Sequence, residues 1–251
     1  MIDESFNAGA GPRSRVVSRA VMTTANGSIR ALAFDLDGTL VDSAPDIGHA
    51  LNSALGDEGF ASFELDRVRE WIGDGPDVLI ERALAALSVP DETALHARLR
   101  LGFDAATFRA PLGQGKVFDG IDALLSRLRG TWPMAVVTNK PTALARAVLD
   151  AAGLLPYFAA VYGADTAAQR KPAPDMLLRA AADFRLGPAQ LLMVGDSGAD
   201  LRAAQAAGTP SVWVEWGYAG VKPLPVAPRW RIAQPAALWS ILHPASPDAK
   251  R

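Results

Sequence analysis

The sequence predicts an α/β fold in which a three-layer, Rossmann-like parallel sheet carries an inserted all-helical cap. Three observations support this prediction. Short apolar runs alternate with helical patterns after residue 112, residues 45–112 show helical periodicity alone, and polar residues follow three of the apolar runs. Strands separated by helices of about 10–15 residues are typical of a parallel sheet with both faces covered.

Length and composition fit a globular protein with one large domain and an insertion. The chain has 251 residues, of which 49% are hydrophobic and 21% charged, and these values exclude a disordered chain. With 25 basic and 27 acidic residues the net charge is −2, so the basic excess of a nucleic-acid-binding protein is missing. The absence of cysteine excludes disulfides and cysteine metal sites. No apolar run approaches the ~18 residues of a membrane span.

Residues 1–28 are predicted to be a disordered N-terminal extension, because they are rich in Gly, Ser, Asn and Arg and show no sustained period. Asp3 and Glu4 and the lack of an apolar core argue against a signal peptide, so a cytoplasmic location is expected. Met22 is an alternative start residue.

The predicted core consists of residues 29–44 and 113–251, with the helical cap inserted at 45–112. Strands are predicted at 31–34, 134–138, 160–164, 191–195 and 211–216. Cap helices are predicted over 46–60, 64–73, 76–87 and 90–103, and core helices over 119–130, 141–153, 174–184 and 199–208. Residues 222–251 contain several prolines and yield no prediction.

The loop after the first strand places two acids, Asp35 and Asp37, at the edge of the sheet. Sites in parallel α/β sheets lie at the carboxyl ends of the strands. Gly38 allows a tight turn and the close approach of a ligand. Two carboxylates this close are unfavourable unless they share a cation or a proton. The alternative is an ordinary turn with solvated aspartates.

Two further loops supply a hydroxyl and a lysine. Thr138 ends a strand directly before the helix that Pro141 begins, and a helix N-terminus preceded by a hydroxyl can bind an anion. Simple helix capping is the alternative for this loop. Lys171 precedes Pro172, which favours an extended backbone that could aim the ammonium at a fixed point. A surface lysine at the start of a helix is the alternative for this motif taken alone.

A second acid pair, Asp196 and Asp200, follows the strand at 191–195. Like Asp35 and Asp37, these two carboxylates repel each other unless they share a cation or a proton. Several carboxylates at neighbouring strand ends require a metal ion. Because the ligands on offer are oxygens and a phosphate is a fitting co-ligand, the expected ion is Mg²⁺.

Taken together, these motifs resemble those of the haloacid dehalogenase-like (HAD) hydrolase superfamily. The matching segments are FDLDGTLVDS (34–43), Thr138-Asn139, Lys171-Pro172 and GDSGAD (195–200), and the resemblance spans residues 30–217. Within the superfamily, the chain is most similar to bacterial phosphoglycolate phosphatases, through the segments 71–84, 137–141, 169–175 and 216–220. Ala219 departs from that pattern, where the family often has Asn.

The resemblance implies a Mg²⁺-dependent phosphomonoester hydrolase that forms an aspartyl-phosphate and acts on 2-phosphoglycolate. It implies that Asp35 is the nucleophile and Asp37 the general acid and base. Metal ligands would be Asp35, the backbone carbonyl of Asp37, and Asp196, and Asp200 would either orient these ligands or bind the metal through a water molecule. The phosphate-binding set would be Gly38, Thr39, Thr138, Asn139 and Lys171. The Trp71–Gly75 turn would face the substrate, unless Trp71 belongs to the apolar core of the cap.

Three alternatives stay open or are rejected on sequence grounds. Another small-molecule phosphatase or a phosphosugar mutase would share this fold and site. A non-catalytic binding protein would usually lack Asp35 or Asp37. Ser197 in GDSG resembles a serine protease nucleophile, but the α/β context and the dispersed His49, His96 and His243 argue against that chemistry. The expected partner is a small phosphorylated substrate, with no nucleic acid or membrane, and the sequence leaves monomer and dimer open.

Overall fold

The computed structural model describes residues 29–218 and 224–243, which form a parallel sheet flanked by helices and a separate helical cluster. The strands are β1 Ala31–Phe34, β2 Val41–Asp42, β3 Lys116–Val117, β4 Met134–Thr138, β5 Ala160–Gly163, β6 Leu191–Gly195, β7 Ser211–Val214 and β8 Trp230–Ile232. The helices are α1 Ala44–Asp57, α2 Leu65–Arg69, α3 Pro76–Ala86, α4 Thr93–Arg109, α5 Ile121–Leu128, α6 Thr142–Ala151, α7 Asp175–Asp183, α8 Gly198–Ala207 and α9 Ala237–Leu242. Within these ranges, no helix has the length and apolarity needed to cross a bilayer.

The main sheet confirms the predicted α/β fold. Its six strands are all parallel and lie in the order β5-β4-β1-β6-β7-β8. Strand β1 lies between β4 and β6, with Phe34 opposite Val136 on one side and Val194 on the other. Chain order therefore reverses at β1, and the crevice at the carboxyl ends of these three strands is where ligands bind in sheets of this kind.

The two faces of the sheet bury different side chains, because successive residues of a strand point to opposite sides. On β1, Leu32 and Phe34 join an apolar cluster that includes residues of α5, α6 and α9. Ala31 and Ala33 face the other way, toward α7 and α8. Small residues on this second face let the two helices pack close to the sheet.

Helices α1 to α4 pack around an apolar cluster of their own, which includes Leu51, Ile80 and Leu99. All four helices of this region were predicted, but with different ends. Helix α2 ends at Arg69, before a turn that runs through Gly73. Helix α4 continues to Arg109, where the ion pair between Arg100 and Asp104 and the absence of Gly or Pro in its last turns favour continuation.

The predicted core strands and helices all form, with ends within two residues of the prediction, whereas the short elements β2, β3, β8 and α9 were not predicted. Strand β8 pairs in parallel with β7, and α9 packs against the same face of the sheet as α5. Both are short, at three and six residues, so neither shows a clear hydrophobic period. The predicted extension at 1–28 and Ala219 lie outside the described residues.

One carboxylate joins the two chain segments that enter and leave the helical cluster. Asp46, in the first turn of α1, accepts hydrogen bonds from the backbone N–H groups of Gly113, Gln114 and Gly115 at 2.8–3.0 Å. Nearby, β2 and β3 form a two-stranded antiparallel ribbon from the same two segments. This tether was not predicted, since the contact spans 67 to 69 residues.

We expect Asp46→Ala to lower the free energy of unfolding by about 1–3 kcal/mol, because three backbone donors lose a charged acceptor. Urea denaturation monitored by circular dichroism measures the change. Glu81→Ala, which removes an exposed acid from α3, is the matched control and should leave the midpoint within about 0.5 kcal/mol. Equal effects of the two substitutions would contradict the tether.

Candidate active site

The carboxyl ends of β1, β4 and β6 bring Asp35, Thr138 and Asp196 to one crevice. Asp35 follows β1 directly and is 5% exposed. Its backbone N–H donates to the carbonyl of Val194 at 2.9 Å, which fixes the residue in the register of β6. The Asp35 carboxylate therefore lies at the reversal point of the sheet with almost no contact with solvent.

Lys171 is the cation that faces Asp35, although 136 residues separate them in the chain. Its Nζ lies 2.9 Å from Asp35 Oδ1 and donates to Asp200 Oδ1 at 2.6 Å and to the Val137 carbonyl at 2.9 Å. Three acceptors use all three N–H bonds of an ammonium. Lys171 is 1% exposed, and its Nζ therefore has a fixed position.

Asp200 connects Lys171 to the start of α8. Its Oδ2 accepts hydrogen bonds from the backbone N–H and the hydroxyl of Ser197, at 2.9 and 2.6 Å. Ser197 in return accepts from the backbone N–H of Asp200, as an N-cap residue does. The hydroxyl of Ser197 thus serves helix capping, which supports the rejection of a serine protease nucleophile.

Asp196 is held by groups from both ends of the chain. Its Oδ1 accepts from the Thr39 hydroxyl at 3.0 Å, and its Oδ2 accepts from the backbone N–H of Tyr218 at 2.8 Å. Gly38, with φ of +86°, and Gly217 lie so close to this carboxylate that a Cβ on either residue would overlap with it. Two glycines are needed here because the backbone on both sides closes over Asp196.

Asp35, Asp196 and Asp200 form a buried group in which one carboxylate oxygen of each residue lies within 4.8 Å of one oxygen of each of the others. Burial and the neighbouring Asp200 charge raise the pKa of Asp35 to about 7, even though Lys171 opposes the shift. Burial and the charges of Asp35 and Asp200 raise the pKa of Asp196 to about 8. The same acids hold the pKa of Lys171 above its usual range, against the effect of burial. When all are ionised, the group carries two negative charges more than Lys171 neutralises.

The donor set fits a divalent cation with a preference for oxygen. All three groups are carboxylates, the excess charge equals that of Mg²⁺, and no sulfur or imidazole ligand stands among them. The side chain of Asp37 is not part of this group and turns to other partners. If it contributes to a metal site, it does so through its backbone carbonyl.

Without metal, the folded protein should lose stability as pH rises between about 4 and 8. In that range the unfolded chain has ionised Asp35 and Asp196, for which the ordinary pKa is 3.8, while the folded chain retains their protons up to pKa values of about 7 and 8. The folded state binds more protons, so the free energy of unfolding falls as pH rises. Thermal denaturation in EDTA at pH 6 and pH 8 measures this fall, and added Mg²⁺ should raise the midpoint more at pH 8. A midpoint in EDTA that increases from pH 6 to pH 8 would contradict the assignment.

In the turn after β1, some backbone N–H groups donate to carbonyls of the same turn and others have no such acceptor. The N–H of Gly38 donates to the Val41 carbonyl at 2.9 Å, and that of Thr39 to the Leu36 carbonyl at 3.3 Å. The N–H groups of Leu36 and Asp37 have no acceptor in the described part of the chain. The backbone N–H groups of Gly38 and Thr39, which we predicted as phosphate-binding residues, thus form hydrogen bonds within the turn. The N–H groups that remain free are those of Leu36 and Asp37.

Thr138 and Asn139 have different surroundings. Thr138 is 1% exposed, and its hydroxyl accepts from the backbone N–H of Lys140 at 3.2 Å. The amide of Asn139 accepts from the N–H of Lys171 at 2.7 Å and donates to the carbonyls of Lys171 and Gly73 at 3.1 and 2.9 Å. Its side chain is therefore used to position the Lys171 loop, and the predicted contact with phosphate finds no free donor on it.

Asp37 lies between Ser43 and Lys140, neither of which was predicted as a site residue. Its Oδ1 accepts from the Ser43 hydroxyl at 2.5 Å, and both of its oxygens lie 2.9 Å from Lys140 Nζ. Lys140 is 6% exposed. One indication of a role for Lys140 was present in the sequence, its position shortly after the end of a strand. Its partner Asp37 lies 103 residues away in the chain and could not be identified from the sequence.

A small, partly open cavity of about 30 Å³ lies between these groups and the helical cluster. Its floor includes Asp35, Asp37, Thr138, Asn139 and Lys140, and its walls include Ile47, Ile72, Gly73, Gly75, Pro76, Leu79 and Phe103. Only part of the Trp71–Gly75 turn, which we predicted to face the substrate, lines the cavity. Ile72, Gly73 and Gly75 line the cavity, whereas Trp71 packs edge-on against Phe63, 4.9 Å between ring centroids, in the apolar core of the cluster.

Comparison with known proteins identifies the family. The family model for haloacid dehalogenase-like hydrolases matches residues 29–208. The chain belongs to this family. It is an enzyme, a hydrolase similar to phosphoglycolate phosphatases, as its sequence motifs predicted.

Two relatives and one solved structure show how close the similarity to other HAD hydrolases is. A phosphoglycolate phosphatase of Cereibacter sphaeroides is 41% identical over 188 residues, which cover 74% of this chain and 85% of the relative. A phosphoglycolate phosphatase of Photorhabdus laumondii is 38% identical, covering 76% and 82%. The crystal structure of a predicted phosphoglycolate phosphatase from Haemophilus somnus 129PT has a TM-score of 0.79 and 30% identity, covering 85% of this chain and 98% of that one.

Proposed function

We propose that this HAD hydrolase cleaves small phosphomonoesters through an aspartyl-phosphate on Asp35, and that its substrate is 2-phosphoglycolate. The observation that carries the proposal is the buried Asp35 carboxylate, paired with Lys171 and surrounded by Asp196 and Asp200 at the reversal point of the sheet. The names of the relatives support the choice of substrate.

In this proposal, Asp35 attacks phosphorus in line with the ester oxygen. A carboxylate and a phosphate repel each other, so donors must surround the transferred group. The Thr138 hydroxyl lines the crevice beside Asp35 and would hold one phosphoryl oxygen. Lys171 Nζ, which contacts Asp35, would hold a second one by exchanging its contact with the Asp35 carboxylate for the phosphoryl oxygen when Asp35 bonds to phosphorus. We assign the backbone donors of the first loop to Leu36 and Asp37, whose N–H groups are free.

The metal site in this proposal consists of Asp35, Asp196 and the backbone carbonyl of Asp37. When bound there, Mg²⁺ would screen the charge repulsion between nucleophile and phosphate. Asp200 would hold Lys171 and the start of α8, since both of its oxygens already accept hydrogen bonds. Thr39 and the Tyr218 backbone N–H would fix the orientation of Asp196.

Asp37 is the proposed general acid and base. It lies two residues after the nucleophile and lines the same cavity, where a leaving-group oxygen would reach it. A proton given to that oxygen makes the alcohol a better leaving group, and the resulting carboxylate can then activate the water that hydrolyses the aspartyl-phosphate. The hydrogen bond from Ser43 and the contact with Lys140 restrict its side chain.

Release of inorganic phosphate from a substrate panel tests the proposal. The panel contains 2-phosphoglycolate, several sugar phosphates and pyrophosphate, each with Mg²⁺ and with excess EDTA. We expect Mg²⁺-dependent release with the highest kcat/KM for 2-phosphoglycolate. A flat panel would overturn the substrate and retain the phosphatase, conversion of a sugar phosphate to its isomer without phosphate release would indicate a mutase, and activity unaffected by EDTA would overturn the metal.

A further inference from the structure

Lys140 is a buried cation in the cavity, and the proposed mechanism gives it a contact with Asp37 but none with the substrate. Its Nζ contacts both oxygens of Asp37 at 2.9 Å, and the residue is 6% exposed. An ammonium has three N–H donors, and among the described residues only Asp37 accepts from them. One donor therefore remains for a ligand in the cavity, whereas the three donors of Lys171 already have acceptors.

On the side of the cap, the cavity is lined mainly by apolar side chains, which would not stabilise an anionic ligand. These side chains include Ile47, Leu79 and Phe103. Among the residues that line it, Lys140 is the one that carries a positive charge. A carboxylate buried against these walls would be strongly unfavourable without a cation, and Lys140 is in place to supply one.

The position of Lys140 also sets a distance from the reacting group. Lys171 contacts Asp35 and Lys140 contacts Asp37, so the two ammonium groups bind carboxylates that are two residues apart in the chain. Such residues have Cα atoms at most about 7 Å apart. Because Asp35, Asp37 and Lys140 also line one small cavity, an anionic group bound by Lys140 would lie close to the phosphoryl group, as the carboxylate of a phosphorylated 2-hydroxy acid does.

We propose that Lys140 binds the carboxylate of the substrate and makes the enzyme selective for phosphomonoesters whose alcohol carries a carboxylate close to the ester oxygen. This inference rests on the proposed phosphatase function and adds a specificity-determining residue to it. The ammonium would bridge Asp37 and the substrate carboxylate, and would thereby place the ester oxygen next to Asp37.

A pair of substrates separates this role from a merely structural one. 2-Phosphoglycolate and 2-hydroxyethyl phosphate have the same chain length, but a hydroxymethyl group replaces the carboxylate in the second. In Lys140→Met we expect kcat/KM for 2-phosphoglycolate to fall about 10- to 100-fold further than kcat/KM for 2-hydroxyethyl phosphate, mainly through KM, because one charged hydrogen bond is lost. Lys140→Arg should retain the preference of the wild type.

Controls make each outcome decisive. Lys116→Met, which removes a lysine that is 68% exposed, should leave both rates unchanged. Lys140→Gln is a second variant in case Lys140→Met does not fold, and thermal denaturation checks both. An equal loss of kcat/KM on the two substrates would mean that Lys140 only positions Asp37. A wild-type preference for a substrate with a second phosphate in place of the carboxylate would mean that the bound anion is a phosphate. Either result overturns the inference. If the wild type releases phosphate from neither substrate, the proposed function itself fails.

Discussion

Replacement of Asp35 by Asn is expected to lower phosphatase turnover by about 10⁴- to 10⁶-fold, the range seen when an enzyme loses its nucleophile. The amide has almost the same shape as the carboxylate but cannot form a stable bond to phosphorus in its place. Release of phosphate from para-nitrophenyl phosphate and from 2-phosphoglycolate, both with saturating Mg²⁺, measures the loss. Acid quenching with labelled substrate should trap a phosphorylated wild-type protein and no phosphorylated variant.

The stability of the variant distinguishes lost chemistry from lost structure. Burial and neighbouring charge raise the pKa of Asp35 to about 7, so its ionised form is unfavourable in the folded protein. Asn removes one of three mutually repelling carboxylates, and Lys171 retains Asp200 as partner. We therefore expect the thermal midpoint in EDTA at pH 8 not to decrease. Asp183→Asn, at the end of α7, is the matched control for activity. Substantial turnover by Asp35→Asn would show that another group attacks phosphorus.

The second large effect is expected for Lys171→Met, which removes the cation shared by Asp35 and Asp200. Breaking a buried ion pair from one side costs about 3–5 kcal/mol, because the remaining charges are left unpaired. The loss should be smaller at pH 6 than at pH 8, because Asp35, whose pKa burial and the charge of Asp200 raise to about 7, then holds its proton. Activity should fall at least about 10²- to 10³-fold even where the protein is folded, because a phosphoryl-binding charge is missing. Urea denaturation in EDTA and phosphate release with Mg²⁺ measure the two effects.

A double variant separates the two roles of Lys171. Lys171→Met combined with Asp200→Asn removes one charge of each sign, so much of the lost stability should return while activity stays low. The surface variant Lys116→Met should change neither quantity. A single Lys171→Met protein that is as stable as the wild type at pH 8 would show that the buried acids are balanced in another way.

The sequence by itself predicted the sheet and the residues that meet at its edge. Parallel strands could be predicted because apolar runs such as MAVVT and LLMVG alternate with amphipathic helical patterns. Once these strands are placed side by side, Asp35, Thr138 and Asp196 must come together, because the carboxyl ends of neighbouring parallel strands lie at one edge. Strand β8 and helix α9 escaped prediction because both are too short to show a period.

What each polar group does in the site depended on the tertiary structure. The sequence could not show that Asn139 holds the Lys171 loop, that Lys140 faces Asp37, or that Asp46 joins the two segments of the helical insertion. Hydrophobic periodicity reports only local structure, whereas these contacts connect residues 32, 103 and 67 positions apart. Residue type and strand ends determined which groups gather at the crevice, and the packing of loops around them decided which donors and charges remain free for a substrate.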